Sequence, residues 1–341
     1  MYNIFKKHRR WKLICAILSL SLLTVMAGAA VAPALGLIQA YFTDTARSLV
    51  QMIVSMPALF IAGTNLFLFK PLCKRFRART LLIFGLLLYT VFGCLAGLFS
   101  NILMILVCRA LVGIGVGIIM PLSTGLLSFY FTRDKQGPLM GYSSALNMLG
   151  GVVATLIAGG LAMISWRLSF MVYLLGLISI VLCIIWMPND RIYDSSRKAQ
   201  SAGSSGQYAP YILVMFVLSF TFFVYPANFA LECSSSGAIP QGLIAPVMAM
   251  MDVFGTLAGS AFVGLANGIG VPYIMTSASA KAGRDAATTV MPLISASLYL
   301  AQFATPLILS ATGHFTDVSS FIIAVFAALL LAAASFTIKE Q

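Results

Sequence analysis

Charge is what this chain has least of. Only 9% of its 341 residues are Asp, Glu, Lys or Arg, and only nine are acidic. A soluble domain carries about 25% charged residues, so a water-covered surface of this size is excluded. Histidine is nearly absent, with two residues. The six cysteines (Cys15, Cys73, Cys94, Cys108, Cys183, Cys233) show no paired spacing. Neither a metal site nor a disulfide framework is expected from them. No nucleophile stands near a base, no cluster of metal ligands is visible, and the period-two alternation of an outer-membrane barrel is missing. The sequence therefore predicts no enzyme, no cofactor and no metal.

Long apolar runs fill the chain instead. Hydrophobic residues make up 60% and the mean hydropathy is +0.98. A helix of roughly 20 apolar residues spans the hydrocarbon core of a bilayer. Apolar runs separated by polar or basic punctuation predict spans at about 13–38, 49–69, 81–99, 102–130, 139–163, 168–188, 209–231, 242–276, 288–311 and 318–337. The first of these follows "MYNIFKKHRRWK". It exceeds the 7–15 apolar residues of a signal peptide and is read as a retained span. The lipid bilayer is the one partner that composition demands.

The net charge of +12 would suggest nucleic acid in a soluble protein. Here the placement of the charges gives a different reading. With the N-terminus inside, Arg47 and Arg167 alone fall outside and Arg109 lies within a span; the other eighteen of the 21 Lys and Arg are inside. That is the positive-inside bias of a multi-pass protein, with both termini cytoplasmic in the cell membrane, and no nucleic acid is expected. The count holds only if 242–276, "GLIAPVMAMM" followed by "DVFGTLAGSAFVGLANGIGVPYIMT", crosses once, as a single tilted or broken helix. The polar stretch "NDRIYDSSRKAQSAGSSGQ" at 189–207 is a flexible linker by composition. It divides the chain into a six-span bundle (1–188), a cytoplasmic linker (189–208) and a shorter bundle of about four helices (209–341). Two bundles joined in this way are the layout of transporters built from repeated halves.

Several local patterns carry a resemblance. "LVCRALVGIGVGIIMP" (106–121) holds Arg109, Gly113, Gly115 and Gly117 in an R-x-x-x-G-x-G-x-G pattern. "LGGVVATLIAGGLA" (149–162) holds Gly151, Gly159 and Gly160. "SWRLSFMVY" (165–173), "KPLCKRFRARTLL" (70–82) and "ANGIGVPYIMT" (266–276) fall at matching points. In these segments the chain resembles the major facilitator superfamily, and more narrowly its drug and small-molecule proton antiporters. The resemblance implies an all-α fold of two bundles. Twelve helices are usual there; about ten are expected here, because 242–259 resembles an eighth helix and 260–276 a tenth, fused by an internal deletion. Two other departures stand out. Lys74 replaces the Asp of the loop G-x-L-A-D-R-x-G-R-R, and Thr155–Leu156 replace the Gly-Pro often found in the fifth span.

The expected activity is secondary active transport of a small organic solute by alternating access, most naturally proton-coupled export. Proton-coupled uptake on the same fold and a remnant that no longer transports both stay open. Charges inside spans are costly and mark function, so Arg109 and Asp252 are the residues expected to serve transport or proton coupling. The glycines Gly113, Gly115, Gly117, Gly151, Gly159 and Gly160 are read as a close-packing surface between helices. The run at 113–118 lies mid-span with no strand before it, so it is no nucleotide loop. By the resemblance, Lys74, Arg75 and Arg79 would gate the cytoplasmic side; attraction to anionic lipid explains the same charges equally well. Asn147, Tyr225, Asn228, Tyr299 and Gln302 are candidate cavity residues. The expected partners are a small-molecule substrate and protons, and no obligate protein partner is evident.

Overall fold

The computed structural model describes residues 2–131, 133–189, 208–237, 239–254, 270–271, 273–274 and 293–311. The chain folds as consecutive helices, with no strand among the described residues. They are α1 (Tyr2–Ala29), α2 (Leu35–Tyr41), α3 (Arg47–Gly63), α4 (Phe69–Arg75), α5 (Ala78–Leu95), α6 (Ile102–Tyr130), α7 (Arg133–Ala162), α8 (Gly176–Trp186), α9 (Ala209–Ser236), α10 (Gln241–Phe254) and α11 (Leu293–Ala311). Short pieces link some of them within one crossing. A 3₁₀ turn at Ala32–Ala34 joins α1 to α2, a π-helical turn at Thr64–Leu68 joins α3 to α4, and a 3₁₀ stretch at Leu168–Leu175 leads into α8.

Seven stretches of the described residues are long and apolar enough to cross a membrane: Trp11–Tyr41, Arg47–Arg75, Ala78–Leu98, Ile102–Ser123, Gly141–Ala162, Leu168–Trp186 and Leu293–Ala311. They coincide with spans the hydropathy predicts. Helix α9 adds a 28-residue element over the expected seventh span. Of the 242–276 stretch the structure describes Gln241–Phe254 as helix, while 255–269, most of the following loop and the expected last span fall outside the described residues. So does the linker at 190–207.

The breaks within crossings have local causes. Pro33 has no N–H to donate and interrupts the first span; a mid-helix proline also clashes with the carbonyl four residues back. Pro57 does the same inside α3 without ending it. Ends are capped where sequence allows. Asn101 accepts from the Leu103 N–H at 2.9 Å to start α6. Gly237, at φ +63°, closes α9 in the left-handed conformation that glycine adopts without strain.

In the first bundle α6 lies between α3 and α5, α1 packs on α7 and α6, and α5 packs on α8. Small residues set these distances. A Cβ on Gly115 would stand 2.6 Å from the Gly85 carbonyl, and one on Gly85 would stand 3.0 Å from the Gly115 carbonyl, so α5 and α6 cross backbone to backbone. One core runs through α1, α3, α5, α6 and α8 and takes in Leu231 and Cys233 of α9 and Ile244 and Met248 of α10. Smaller clusters join α9 to α11. Large apolar side chains such as Phe67, Ile164, Leu98 and Ile185 point outward, as they do in proteins whose solvent is lipid.

Candidate functional site

Arg109 sits two turns into α6 with no exposed surface at all. An isolated guanidinium there would cost several kcal/mol. The helix breaks provide what offsets that cost. Pro57 has no N–H, so the carbonyl four residues earlier, on Ile53, has no helical donor. The Arg109 Nε–H donates to that carbonyl at 2.6 Å. Helix α1 ends at Ala29, and the carbonyls of a last turn lack their i+4 amides. Arg109 Nη2 donates to one of these, on Ala27. Nη1 donates to the Tyr173 hydroxyl, which in turn donates to the same Ala27 carbonyl at 2.9 Å.

All three nitrogens of the guanidinium are thus engaged, by two backbone carbonyls and a phenol. Bonds from a charged donor contribute about 1.5–3 kcal/mol each, and the C-terminal end of α1 adds the negative end of its dipole. The sum is of the same order as the desolvation cost. The Tyr173 ring adds its face, with Cζ of Arg109 5.5 Å from its centroid. Snorkelling to the membrane face, the alternative for an Arg at this depth, is not what the side chain does.

The glycines make this clasp possible. A Cβ on Gly113 would fall 2.4 Å from the Pro57 carbonyl, so α6 can press on α3 at Pro57, one turn from Arg109, only without a side chain there. On Gly93 a Cβ would overlap the Tyr173 ring, 2.4 Å from Cγ. Tyr89 lies edge-on to Tyr173, centroids 5.1 Å apart, with its hydroxyl buried and unpaired among the described residues. Sequence reasoning singles out neither Tyr173 nor Tyr89, and takes Pro57 only as a proline that marks a bend within a span. Pro57 is the signal for one partner, because it leaves the Ile53 carbonyl without a helical donor; for Ala27 the signal is the end of α1 ahead of Pro33.

The other expected residues fall into distinct places. Gly117 packs on Thr64, and Gly159 stands against Ala245, where a Cβ would come within 1.9 Å of the alanine methyl; this is where α7 of the first bundle meets α10 of the second. Gly151 is buried. Gly160 departs from the expected packing surface. It lies one residue round the helix from Gly159, is exposed, and a Cβ there would meet nothing within 4 Å. Gly150 takes the close contact instead, with a Cβ position 2.1 Å from the Leu22 carbonyl of α1.

Asn147 faces α1 rather than a described cavity. Its Oδ1 accepts from the Thr24 hydroxyl, one turn along from a Ser21–Ser143 pair at 2.6 Å. Tyr299 and Gln302 of α11 lie at the seam with the first bundle. The Tyr299 hydroxyl meets Met120 Sδ at 2.9 Å. Nε2 of Gln302 lies 2.9 Å from where a Gly28 Cβ would stand. Lys74 and Arg75 are exposed at the end of α4. Arg79 turns the other way and donates to the Ile184 carbonyl in the last turn of α8. The backbones of Tyr225 and Asn228 lie in α9 and that of Asp252 in α10; their side chains fall outside the described residues.

Three comparisons place this architecture among known proteins. The sequence profile of the Major Facilitator Superfamily matches residues 17–232. An uncharacterized transporter of Schizosaccharomyces pombe is 25% identical over 206 residues, which is 59% of this chain and 42% of that one. The multidrug efflux pump SdrM of Staphylococcus aureus is 26% identical over 151 residues, 43% of this chain and 34% of that one. The chain therefore spans less than half the length of these curated relatives. Among solved structures, a peptide transporter, POT, crystallised with alafosfalin superposes with a TM-score of 0.69 at 12% identity, covering 96% of this chain and 95% of that one.

Proposed function

The chain belongs to the major facilitator superfamily, and from that premise we propose that it is a secondary active transporter of a small organic solute, working by alternating access and exporting in exchange for protons. The observation that supports this best is the Arg109 clasp. A buried cation holds the broken first span and the second, at its proline, together, and interrupted helices meeting inside a bundle are how transporters of this kind build their sites. Export is supported by the likeness to a multidrug efflux pump and by the glycine pattern of the fifth span. Proton coupling is assigned to Asp252, the one acid inside an apolar run, because a charge within a span is costly and marks function. The location is the cell membrane, with both termini cytoplasmic.

Purified protein in sealed vesicles, loaded with a fluorescent lipophilic cation and given an imposed pH gradient, tests the reading. Efflux against the proton gradient is expected, lost in Asp252→Asn while gradient-free exchange of the cation persists. Flux with the gradient reversed would instead establish uptake. One observation favours a rival, a remnant that does not transport: the 242–276 stretch reads as two helices fused into one crossing, leaving the second bundle short. No flux under any gradient, from protein shown to be folded, decides for that rival.

A further inference from the structure

The end of the second crossing changes character within three turns. The π-helical turn Thr64–Leu68 leaves Phe67 74% and Leu68 46% exposed. One turn further Lys70 is exposed, then Lys74 and Arg75, then Phe76 (42%) and Arg77. From Phe67 to Lys74 the helical rise is about 10 Å, the distance from the outer hydrocarbon to the headgroups. By helical spacing Phe67, Lys70 and Lys74 share one face, along which exposed apolar surface gives way to exposed cations. In the sequence no acid occurs between Asp44 and Asp134. The guanidinium of Arg75 lies 5.9 Å from the Phe76 ring centroid. Arg79 is excluded from the set, because it is spent on the Ile184 carbonyl.

We propose that this segment, residues 67–77, is a binding surface for anionic phospholipid, with Lys70, Arg75 and Arg77 on the phosphate headgroup and Phe67 and Leu68 against the acyl chains. A soluble acidic partner or a free anion would satisfy the cations but would leave the two large apolar side chains, one turn below on the same face, with no counterpart. A phospholipid matches both. The inference does not depend on whether the chain transports.

The test uses the full chain in nanodiscs of phosphatidylcholine with a rising fraction of phosphatidylglycerol, followed by release into detergent and native mass spectrometry of retained lipid. Phosphatidylglycerol is expected to be retained above its mole fraction, and to fall by about fivefold for each charge removed in Lys70→Gln, Arg75→Gln and Arg77→Gln at low salt. The triple variant should hold no more phosphatidylglycerol than phosphatidylcholine. Equal retention by wild type and the triple variant overturns the proposal. Displacement by millimolar inorganic phosphate also overturns it, by showing a free-anion site. Should the triple variant fold poorly, the wild type alone decides: exposed headgroup pairing weakens as ionic strength rises, and retention that ignores salt contradicts it.

Discussion

If Arg109 is held by the carbonyl that Pro57 leaves without a donor, then restoring the donor should matter more once the arginine is gone. Pro57→Ala supplies an N–H at position 57, aimed at the Ile53 carbonyl, and adds no atom towards Gly113. In the wild type that carbonyl already accepts from Arg109 at 2.6 Å, so the new N–H gains little beyond better helix propensity. In Arg109→Met the situation differs. Ala27 keeps its bond from Tyr173 at 2.9 Å, whereas the Ile53 carbonyl is left buried and unpaired, at a cost of about 1–3 kcal/mol. Pro57→Ala should recover that amount in the methionine background. The predicted coupling in the four-member cycle is therefore about 1–3 kcal/mol, within the range measured for directly contacting residues.

Reversible unfolding in mixed micelles, read by tryptophan fluorescence, measures all four proteins. Arg109→Met on its own should change stability modestly, because removing the cation also removes its desolvation cost. Under the proposed function its larger effect falls on transport. A coupling below about 0.5 kcal/mol would mean that the Ile53 carbonyl is not what anchors Arg109, and the account of the clasp would be wrong.

Gly150→Ala places a methyl 2.1 Å from the Leu22 carbonyl and should destabilise the first bundle by about 1–3 kcal/mol through overpacking, whereas Gly160→Ala, in open space, should be neutral or stabilising by up to about 1 kcal/mol; the same unfolding assay separates them. Thr24→Val removes a hydroxyl that lies within reach of both the Ser21 carbonyl and the Asn147 Oδ1 and should cost about 1 kcal/mol, with little loss in Thr24→Ser. In a chain stripped of its six cysteines, Ala282→Cys should react with an impermeant thiol reagent from the cytoplasmic side only; reaction from outside would mean that 242–276 crosses twice.

Much of the fold was legible because hydropathy reports a bilayer directly. The crossings follow from apolar runs such as "LLIFGLLLYTVFGCL", which have no other stable environment. Arg109 was legible for the same reason in reverse, as a charge where charges are expensive. Its partners were not. They are backbone carbonyls 56 and 82 residues away, and every residue has a carbonyl; only Pro57 and the break before Pro33 distinguish these two. The glycine surface was legible as a pattern but not in register. Which of Gly159 and Gly160 faces α10 turns on about 100° of helix rotation, fixed by packing against Ala245 rather than by the sequence of α7. Asn147 shows the same limit: its polarity required a partner, and Thr24 as that partner emerges only when α1 lies on α7.

Alternating access requires the two ends of the bundle to open in turn, and distances across each end report that motion. Spin labels at Phe76 and Ala209 report one membrane face, and labels at Ser100 and Pro240 the other. Reciprocal change is expected as pH is stepped and a transported cation is added: one pair closes as the other opens. Two distances that stay fixed, or that lengthen together, would contradict it.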